Sequence, residues 1–293
     1  EWIELLRNNT VVRSMARTIP MPRGAASRRK QTGAGTAYYQ GETDKMTASN
    51  LTVGRLNLSY KKLTALTVVS NDLIRFSSGE ADRIVQEDLL LVSGIREDLA
   101  FLVGNPPTDA GSPQGIRYQT AAANVNATAG ASLANFQADL TAAIQRVQSA
   151  NIPATPSNSA WLMSPANFWL IYSLATTTGD MIFREELSRP QPSLFGYPVK
   201  LTTQLSLASL WAATGVTSGS IGMIMFVYGP ALEVHDSLQR TVQAFVGGAY
   251  YDAATAAVLS GISQDETVIT CIAEHDFAQV YDKAASIVTG YAQ

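Results

Sequence analysis

The chain has 293 residues, of which 46% are hydrophobic and 15% are charged, and its formal net charge is −3. Ordinary soluble domains carry roughly 25% charged residues, so we expect partners to cover part of the surface. No run of 18 apolar residues occurs, which excludes a membrane-spanning helix. The one cysteine, Cys271, excludes an internal disulfide and a multi-cysteine metal site.

Charge is unevenly distributed along the chain. Residues 1–62 hold 11 Lys and Arg against four Asp and Glu, whereas residues 63–293 hold 10 against 20. A basic segment on an acidic body is typical of an arm that binds something negative. We expect that arm to lie on nucleic acid or on the acidic body of another copy.

Residues 21–50 lack the side chains of a core-facing segment, because they contain almost no aliphatic residue beyond Ala and Met. So long a segment is rare inside a compact domain, which leaves either disorder or an excursion that packs on another subunit. Tyr38 and Tyr39 favour the excursion. The chain then returns with strand alternation through Leu56 and Leu58 to Phe76, with a phase shift at two lysines, which predicts an extended β-hairpin loop.

The strongest helical signal spans Ser77 to Val103, roughly 40 Å at 1.5 Å per residue. Glu80 is placed to complete a capping box with Ser77, and Gly104 stands at the position of a C-terminal capping glycine. An apolar face is formed by Ile84, Leu91, Ile95, Leu99 and Leu102, and the opposite face carries Glu87, Asp88, Arg96, Glu97 and Asp98. Two interpretations remain open: a core helix with a solvated charged face, or a brace whose acidic face receives a neighbour's basic arm.

The rest of the chain mixes helices and strands. A second amphipathic helix is predicted over residues 132–153, and another begins after Ser164 with Pro165 at its first position. Strands are predicted at residues 160–163, 221–229, 233–245 and 266–282, and residues 193–205 are predicted to form a turn that leads into a strand. The order lacks βαβ regularity, so the predicted fold class is α+β.

Candidate catalytic groups do not form a recognisable constellation. His235, Asp236 and Ser237 are the residue types of a hydrolase triad, but adjacent strand residues point to opposite faces and cannot form the required chain of hydrogen bonds. His275 lies far along the chain from the other histidine, which is a poor zinc signature. The sequence therefore predicts no catalytic residue, no metal ligand and no cofactor.

Four segments occur in a recognisable order. They are LNLSYKKLTALTVVSNDLIRFSSGEADRIVQEDL, FLVGNPPTDAGSPQGIRYQ, AWLMSPANFWLIYSL and SLFGYPVKLTTQL. In this order they resemble the major capsid proteins of tailed bacteriophages, which have the Hong Kong 97-type fold. The first is similar to the family's passage from extended loop to spine helix, and the second to its exit, where Gly115-Ile116 begins a strand. The resemblance covers nearly the whole chain from about Leu5.

The resemblance implies the division of the chain into domains. Expected are an N-terminal arm (1–23), an extended loop (24–62), a peripheral domain with the spine helix (63–107), an axial domain (108–232), a returning peripheral segment (233–275) and a C-terminal axial segment (276–293). It also implies a mature form, from which an N-terminal scaffolding segment has been removed before Glu1; the alternative is a sequence trimmed before that residue.

The implied function is structural and not enzymatic. The family's major capsid proteins self-assemble into pentamers and hexamers of an icosahedral shell around viral double-stranded DNA. They assemble in the host cytoplasm, reside in the virion, and have portal and decoration proteins as further partners, but no membrane. One alternative is an encapsulin, a nanocompartment shell protein of the same fold that encloses a cargo enzyme. The other is an α+β enzyme, which would need a convergent polar site.

Contacts between subunits are expected from the charge distribution. Loop cations of one copy should meet acidic groups of an adjacent copy; the candidates are Arg28, Arg29, Lys30 and Lys45 with Glu87, Glu97 and Asp98. Some relatives also join a loop lysine to an asparagine in the peripheral domain of another subunit, with a glutamate assisting. No asparagine follows Asn167 here, so we expect a shell without such covalent links.

Overall fold

The structure is a computed structural model that describes residues 10–33, 35–42, 45–46, 48–76, 80–107, 109–130, 132–176, 178–205, 222–252 and 256–291. Its helices are α1 (Asn71–Phe76), α2 (Glu80–Val103), α3 (Ile116–Gln119), α4 (Leu133–Ser149), α5 (Pro165–Ser173), α6 (Arg184–Leu187) and α7 (Gly261–Gln264). Its strands are β1 (Arg17–Pro20), β2 (Ala25–Gly33), β3 (Thr52–Ser59), β4 (Lys61–Ser70), β5 (Val125–Ala127), β6 (Ser159–Met163), β7 (Ser193–Leu194), β8 (Tyr197–Leu201), β9 (Gly222–Tyr228), β10 (Leu232–Val246), β11 (Ala249–Asp252), β12 (Ala257–Ser260), β13 (Glu266–Gln279) and β14 (Ala285–Tyr291).

The long strands β10 and β13 form the centre of the first sheet, whose order is β1-β10-β13-β4. They pair antiparallel; β4 pairs antiparallel with β13, and β1 runs parallel to β10. Val69, Ile269 and Cys271 of this sheet are buried against Leu89 of α2. Helix α2 therefore covers one face of the sheet, and Cys271 is a core residue.

The second sheet has the order β5-β14-β9-β6-β8-β7 and contains a larger apolar core. Every residue of β6 is buried, because the sheet is covered on both sides of this strand. The Trp161 ring packs 4.8 Å from Phe226 between ring centroids, and its Nε1 donates to the Leu194 carbonyl at 3.1 Å. Phe136 and Leu140 of α4 complete the packing.

Two predicted helices beside this sheet begin directly after a serine, and for Ser164 that capping position was predicted. Ser132 Oγ accepts a hydrogen bond from Asn135 N at 3.3 Å, and Ser164 Oγ accepts one from Asn167 N at 3.2 Å. Each hydroxyl satisfies a backbone N–H that has no partner within its helix. Pro165 occupies the first turn of α5, as predicted.

Strands β2 and β3 form an antiparallel hairpin that leaves the first sheet. Its root contains a small apolar cluster with Met21, Leu58 and Ala278. Tyr60 N donates to the Gly24 carbonyl at 2.9 Å, which closes the root at the point of the predicted phase shift. Most hairpin side chains beyond this root are exposed, so the predicted hairpin loop is confirmed.

Helix α2 differs from the predicted arrangement of a buried apolar face and an exposed charged face. Glu97 and Asp98 are 0% and 2% exposed, whereas Ile84, Leu91 and Ile95 are 60%, 42% and 38% exposed. The prediction of a solvated charged face was therefore wrong for the C-terminal half of the helix. The reason is that polar partners from distant segments, described below, bind the two carboxylates inside the protein.

The exit from α2 depends on two glycines. Gly104 N donates to the Ala100 carbonyl at 2.9 Å, and Gly115 N donates to the Gly104 carbonyl at 2.9 Å. A Cβ atom on Gly115 would lie 2.7 Å from the backbone nitrogens of Gly104 and Val103. The returning chain can therefore approach the helix end closely only because residue 115 has no side chain. The Ser77–Gly79 part of the predicted capping box lies outside the described residues.

Two local predictions were wrong. Residues 116–119 form the helical turn α3 and not a strand, because Tyr118 N and Gln119 N both donate to the Gly115 carbonyl, at 3.1 Å each. The strand through β4 ends at Ser70, and the chain continues as α1. There, Asn71 N donates to the Asp265 carbonyl at 2.9 Å. The parallel pairing of β5 with β14 was not predicted.

Candidate assembly interface

Arg13 connects the start of the described chain to α2 and β10. Its Nε donates to Glu97 Oε1 at 2.9 Å, and its Nη1 donates to Asp236 Oδ2 at 2.7 Å. Burial opposes the charge of Arg13, but Glu97 and Asp236 together raise its pKa above the ordinary value. The segment around Arg13 is therefore bound to the body of its own subunit.

Glu97 is the buried centre of this cluster. Its two oxygens bind Arg13 and Arg240, and Arg240 Nη1 donates to Ser93 Oγ at 2.7 Å. Burial lowers the pKa of Arg240, and Glu97 opposes that shift. A carboxylate is tolerated at this depth because cationic donors satisfy both of its oxygens.

Asp98 binds backbone groups and not a cation. Its Oδ2 accepts a hydrogen bond from Val11 N at 2.8 Å, and its Oδ1 accepts one from Val12 N at 3.1 Å. Burial raises the pKa of Asp98 to about 6, although the two N–H groups favour the ionised form. Lys200 Nζ of β8 donates to Ser14 Oγ at 2.7 Å, which connects the same segment to the second sheet.

These contacts correct two of the predicted inter-subunit residues. Glu97 and Asp98 are unavailable to an adjacent copy, because they bind residues 11–13 and Arg240 of their own subunit. Arg28 pairs with Glu233 of its own subunit but keeps 45% of its side chain exposed, so its contact with an adjacent copy stays a prediction. The basic arm does lie on acidic groups, but for residues 10–20 those groups belong to the same copy.

The other four predicted residues lie at the surface. Arg29 and Lys45 are exposed, and Lys30 is half-buried on β2. Glu87 is exposed on α2, where Arg83 Nε lies 3.7 Å from its Oε1. Within one subunit the structure brings no cation of the described hairpin residues to Glu87, so contact between them requires two copies.

Large apolar side chains are exposed on the hairpin, on α2 and at the end of the first sheet. They are Tyr38, Tyr39, Met46, Leu51 and Val53; Ile84, Leu91, Val92 and Ile95; and Leu73, Phe76, Val246, Val258 and Ile262. Exposed apolar patches mark surfaces that other molecules cover. Their spread over separate elements indicates contacts with more than one neighbour.

The described part of the chain contains no group of three or more His, Cys, Asp and Glu that could hold a metal ion. None of the described helices is long and apolar enough to cross a membrane. Burial lowers the pKa of His275, whose ring packs edge-on against Phe101 at 5.2 Å between centroids. His275 is therefore a neutral packing residue.

Comparison with known proteins decides the family. The family model described as "Phage capsid family" matches residues 1–290. The chain belongs to the phage capsid family. It is also similar to a major capsid protein of Klebsiella oxytoca phage phiKO2, with 26% identity over 99% of this chain and 66% of that protein. The chain thus spans about two thirds of the length of that relative.

Solved structures share the fold of this capsid-family chain. A structure from Mycobacterium phage Ogopogo matches with a TM-score of 0.75 and 15% identity, over 96% of this chain and 92% of that one. The capsid of a native GTA particle matches with a TM-score of 0.68 and 14% identity, over 97% and 91%. At these identities the likeness shows the fold alone, which is the α+β capsid fold.

Family and fold together identify a structural capsid protein of bacteriophage type. They do not favour the encapsulin or enzyme alternatives.

Arg13 and Arg240 were not predicted as site residues, although both bind Glu97 in the buried cluster. Arg240 lies two residues from Val242 on β10, and Val242 packs in the core with Cys271. Residues two apart on a strand share a face, so this spacing could have placed Arg240 inside. Arg13 precedes the first strand, and no local pattern marks its burial.

Proposed function

We propose that copies of this chain assemble into pentamers and hexamers, which form an icosahedral shell around viral double-stranded DNA. Family membership supports the shell role. The observation that carries the proposal is the β2–β3 hairpin, which holds exposed aromatic and cationic side chains away from the core of its own subunit. A neighbouring copy would cover those side chains and remove their apolar surface from water.

The proposed domains follow the expected boundaries. They are an arm (1–23), an extended loop (24–62), a peripheral domain (63–107 and 233–275) and an axial domain (108–232 and 276–293). The hairpin falls within the loop, α2 within the peripheral domain, and strands β6 to β9 within the axial domain, which supports this division.

The chain acts in the virion capsid as a structural component without catalysis, after assembly in the host cytoplasm. It meets the encapsidated DNA without sequence specificity, through electrostatic contact of its cations with phosphate. Portal and decoration proteins are further partners of the shell.

In the shell, Arg29, Lys30 and Lys45 of one copy bind the edge of α2 at Glu87 of an adjacent copy. Both sides are charged and accessible in the single subunit. An exposed ion pair contributes only about 0–1 kcal/mol. The same ion pair recurs in every copy of a shell, so the summed free energy is large enough to affect assembly.

Electron microscopy of the purified protein tests shell formation, and closed shells are the expected result. The double variant Arg29→Glu, Lys30→Glu should lower the yield of shells several-fold. Adding Glu87→Lys should restore much of it, whereas Lys283→Glu, which alters an exposed lysine beside the second sheet, should leave the yield unchanged. A protein that stays monomeric under all assembly conditions contradicts the proposed shell. A shell yield that is the same for all of the charge variants contradicts only the proposed contact with Glu87.

A further inference from the structure

The first described segment, Thr10–Ala16, is attached to the protein by the Arg13 ion pairs described above and, through its backbone, by one buried carboxylate, that of Asp98. Asp98 is 2% exposed, and its two oxygens accept the Val11 and Val12 N–H groups. The segment folds back on itself, since Met15 N and Ala16 N both donate to the Val12 carbonyl, at 3.0 and 2.9 Å. Asp98 is therefore the anchor of a compact turn.

No ion pair joins Asp98 to any cation among the described residues. The nearest cation on the turn, Arg13, is bound to Glu97 and Asp236. Arg13 and Lys200 of β8 attract Asp98 without forming an ion pair with it, while Glu97, its neighbour on α2, repels a negative charge there. The turn thus covers a carboxylate whose charge has lost its water and gained no direct counter-ion.

We propose that Thr10–Ala16 is a pH-gated latch, which the Asp98 carboxyl holds more tightly when it is protonated. Closing the latch removes Asp98 from water beside Glu97. Opening it returns Asp98 to water, where an ionised carboxylate is well solvated. Protonation removes the desolvation penalty of the closed state, but it turns one oxygen into a hydroxyl and so weakens one of the two N–H bonds. Burial is the larger of these two opposing effects on the Asp98 pKa, so protonation favours the closed state overall.

The direction of the pH effect follows from the difference in proton binding between the closed and the open state. Burial raises the pKa of Asp98 to about 6 in the closed latch, against 3.8 for an ordinary aspartate. The closed state therefore binds the proton more strongly, and a fall in pH favours closure between about pH 7 and pH 4. If the open state titrates as an ordinary aspartate, the closing equilibrium constant increases about tenfold between pH 7.5 and 5.0.

Hydrogen exchange measured at pH 7.5 and 5.0 tests the latch, with rates corrected for intrinsic exchange. The amides of Val11, Val12, Met15 and Ala16 should gain about tenfold in protection at pH 5.0. Amides of β9 in the second sheet serve as an internal reference for global unfolding. Their protection must be compared at both pH values, so that a change in overall stability is not assigned to the latch.

Two substitutions separate the anchor from other carboxylates. Asp98→Asn removes the ionisable group, so the protection of the turn should lose its pH dependence even if its level changes. Asp88→Asn, which alters an exposed aspartate on the same helix, should keep the wild-type response. If the Asp98→Asn variant does not fold, the wild-type and Asp88→Asn proteins still decide the question. Protection that is flat or lower at pH 5.0 in the wild type overturns the proposal.

Discussion

At the scale of single residues, Glu97 decides how the long helix packs. The pattern of α2 placed this charge outside, because charged residues are rarely buried without a partner. Its partners lie far away in sequence, Arg13 at a separation of 84 residues and Arg240 at 143. A pattern within one helix cannot contain that information, so the burial of Glu97 could not be predicted from the helix alone.

Glu97→Gln should destabilise the protein strongly. The change keeps the shape of the side chain but leaves Arg240 buried with no carboxylate, and breaking a buried ion pair costs about 3–5 kcal/mol. The matched change Glu87→Gln affects an exposed pair with Arg83 and should cost at most about 0.5 kcal/mol. Urea unfolding of the unassembled protein measures the free energy of unfolding of both variants. Equal decreases would show that the buried pairs of Glu97 stabilise the protein no more than the exposed pair of Glu87 does.

At the scale of elements, sequence predicts best where one short motif controls the structure. Ser132 and Ser164 each cap a helix through a bond to a residue three positions later. Strands β4, β10 and β13 of the first sheet and the hairpin were also recognised, because alternation is visible in a few consecutive residues, whereas β1 was not predicted. Elements that depend on distant backbone were missed, such as β14 between β5 and β9.

The turn that follows α2 is one such element. Gly115→Ala should destabilise the protein by about 1–3 kcal/mol, the usual cost of forcing extra atoms into a packed site. The new Cβ would meet backbone nitrogens at 2.7 Å and the Leu102 carbonyl carbon at 2.8 Å, none of which can move aside as a flexible side chain can. Gln114→Ala, at the exposed neighbouring residue, removes one exposed hydrogen bond, from Nε2 to the Tyr118 carbonyl, and should cost at most about 1 kcal/mol. Thermal unfolding of the two variants compares them, and a similar small effect for both would contradict the close contact.

At the scale of the whole molecule, the uneven charge along the sequence has two structural consequences. Part of the basic segment, at Arg13 and Arg28, neutralises acidic groups of its own subunit. Another part, at Arg29 and Lys45, is left exposed on the hairpin. Composition predicted that a basic arm would meet an acidic body. It could not tell which contacts are made within a copy and which between copies, because both satisfy the same charges.

Copies of the chain in a shell can be held together by non-covalent contacts alone or also by covalent links between subunits. In some capsid proteins of this type a loop lysine is joined covalently to an asparagine of the peripheral domain in another subunit. Lys45 is exposed on the hairpin, but the returning strands β10 to β13 contain no asparagine, since the last one in the chain is Asn167. The candidates that remain there are carboxylates such as Asp265, which binds Asn71 Nδ2 at 2.6 Å.

An ionised carboxylate resists attack by an amine, so Asp265 and the other carboxylates of these strands are poor acyl donors near neutral pH. We therefore expect shells held by buried apolar surface and by ion pairs, without covalent links. Shells assembled from this 293-residue chain and boiled in detergent should give a single band near 31.4 kDa on a denaturing gel. A ladder of multimers that survives denaturation would contradict this. In that case Lys45→Arg, which keeps the charge but removes the primary amine, should abolish the ladder if the hairpin lysine forms the link.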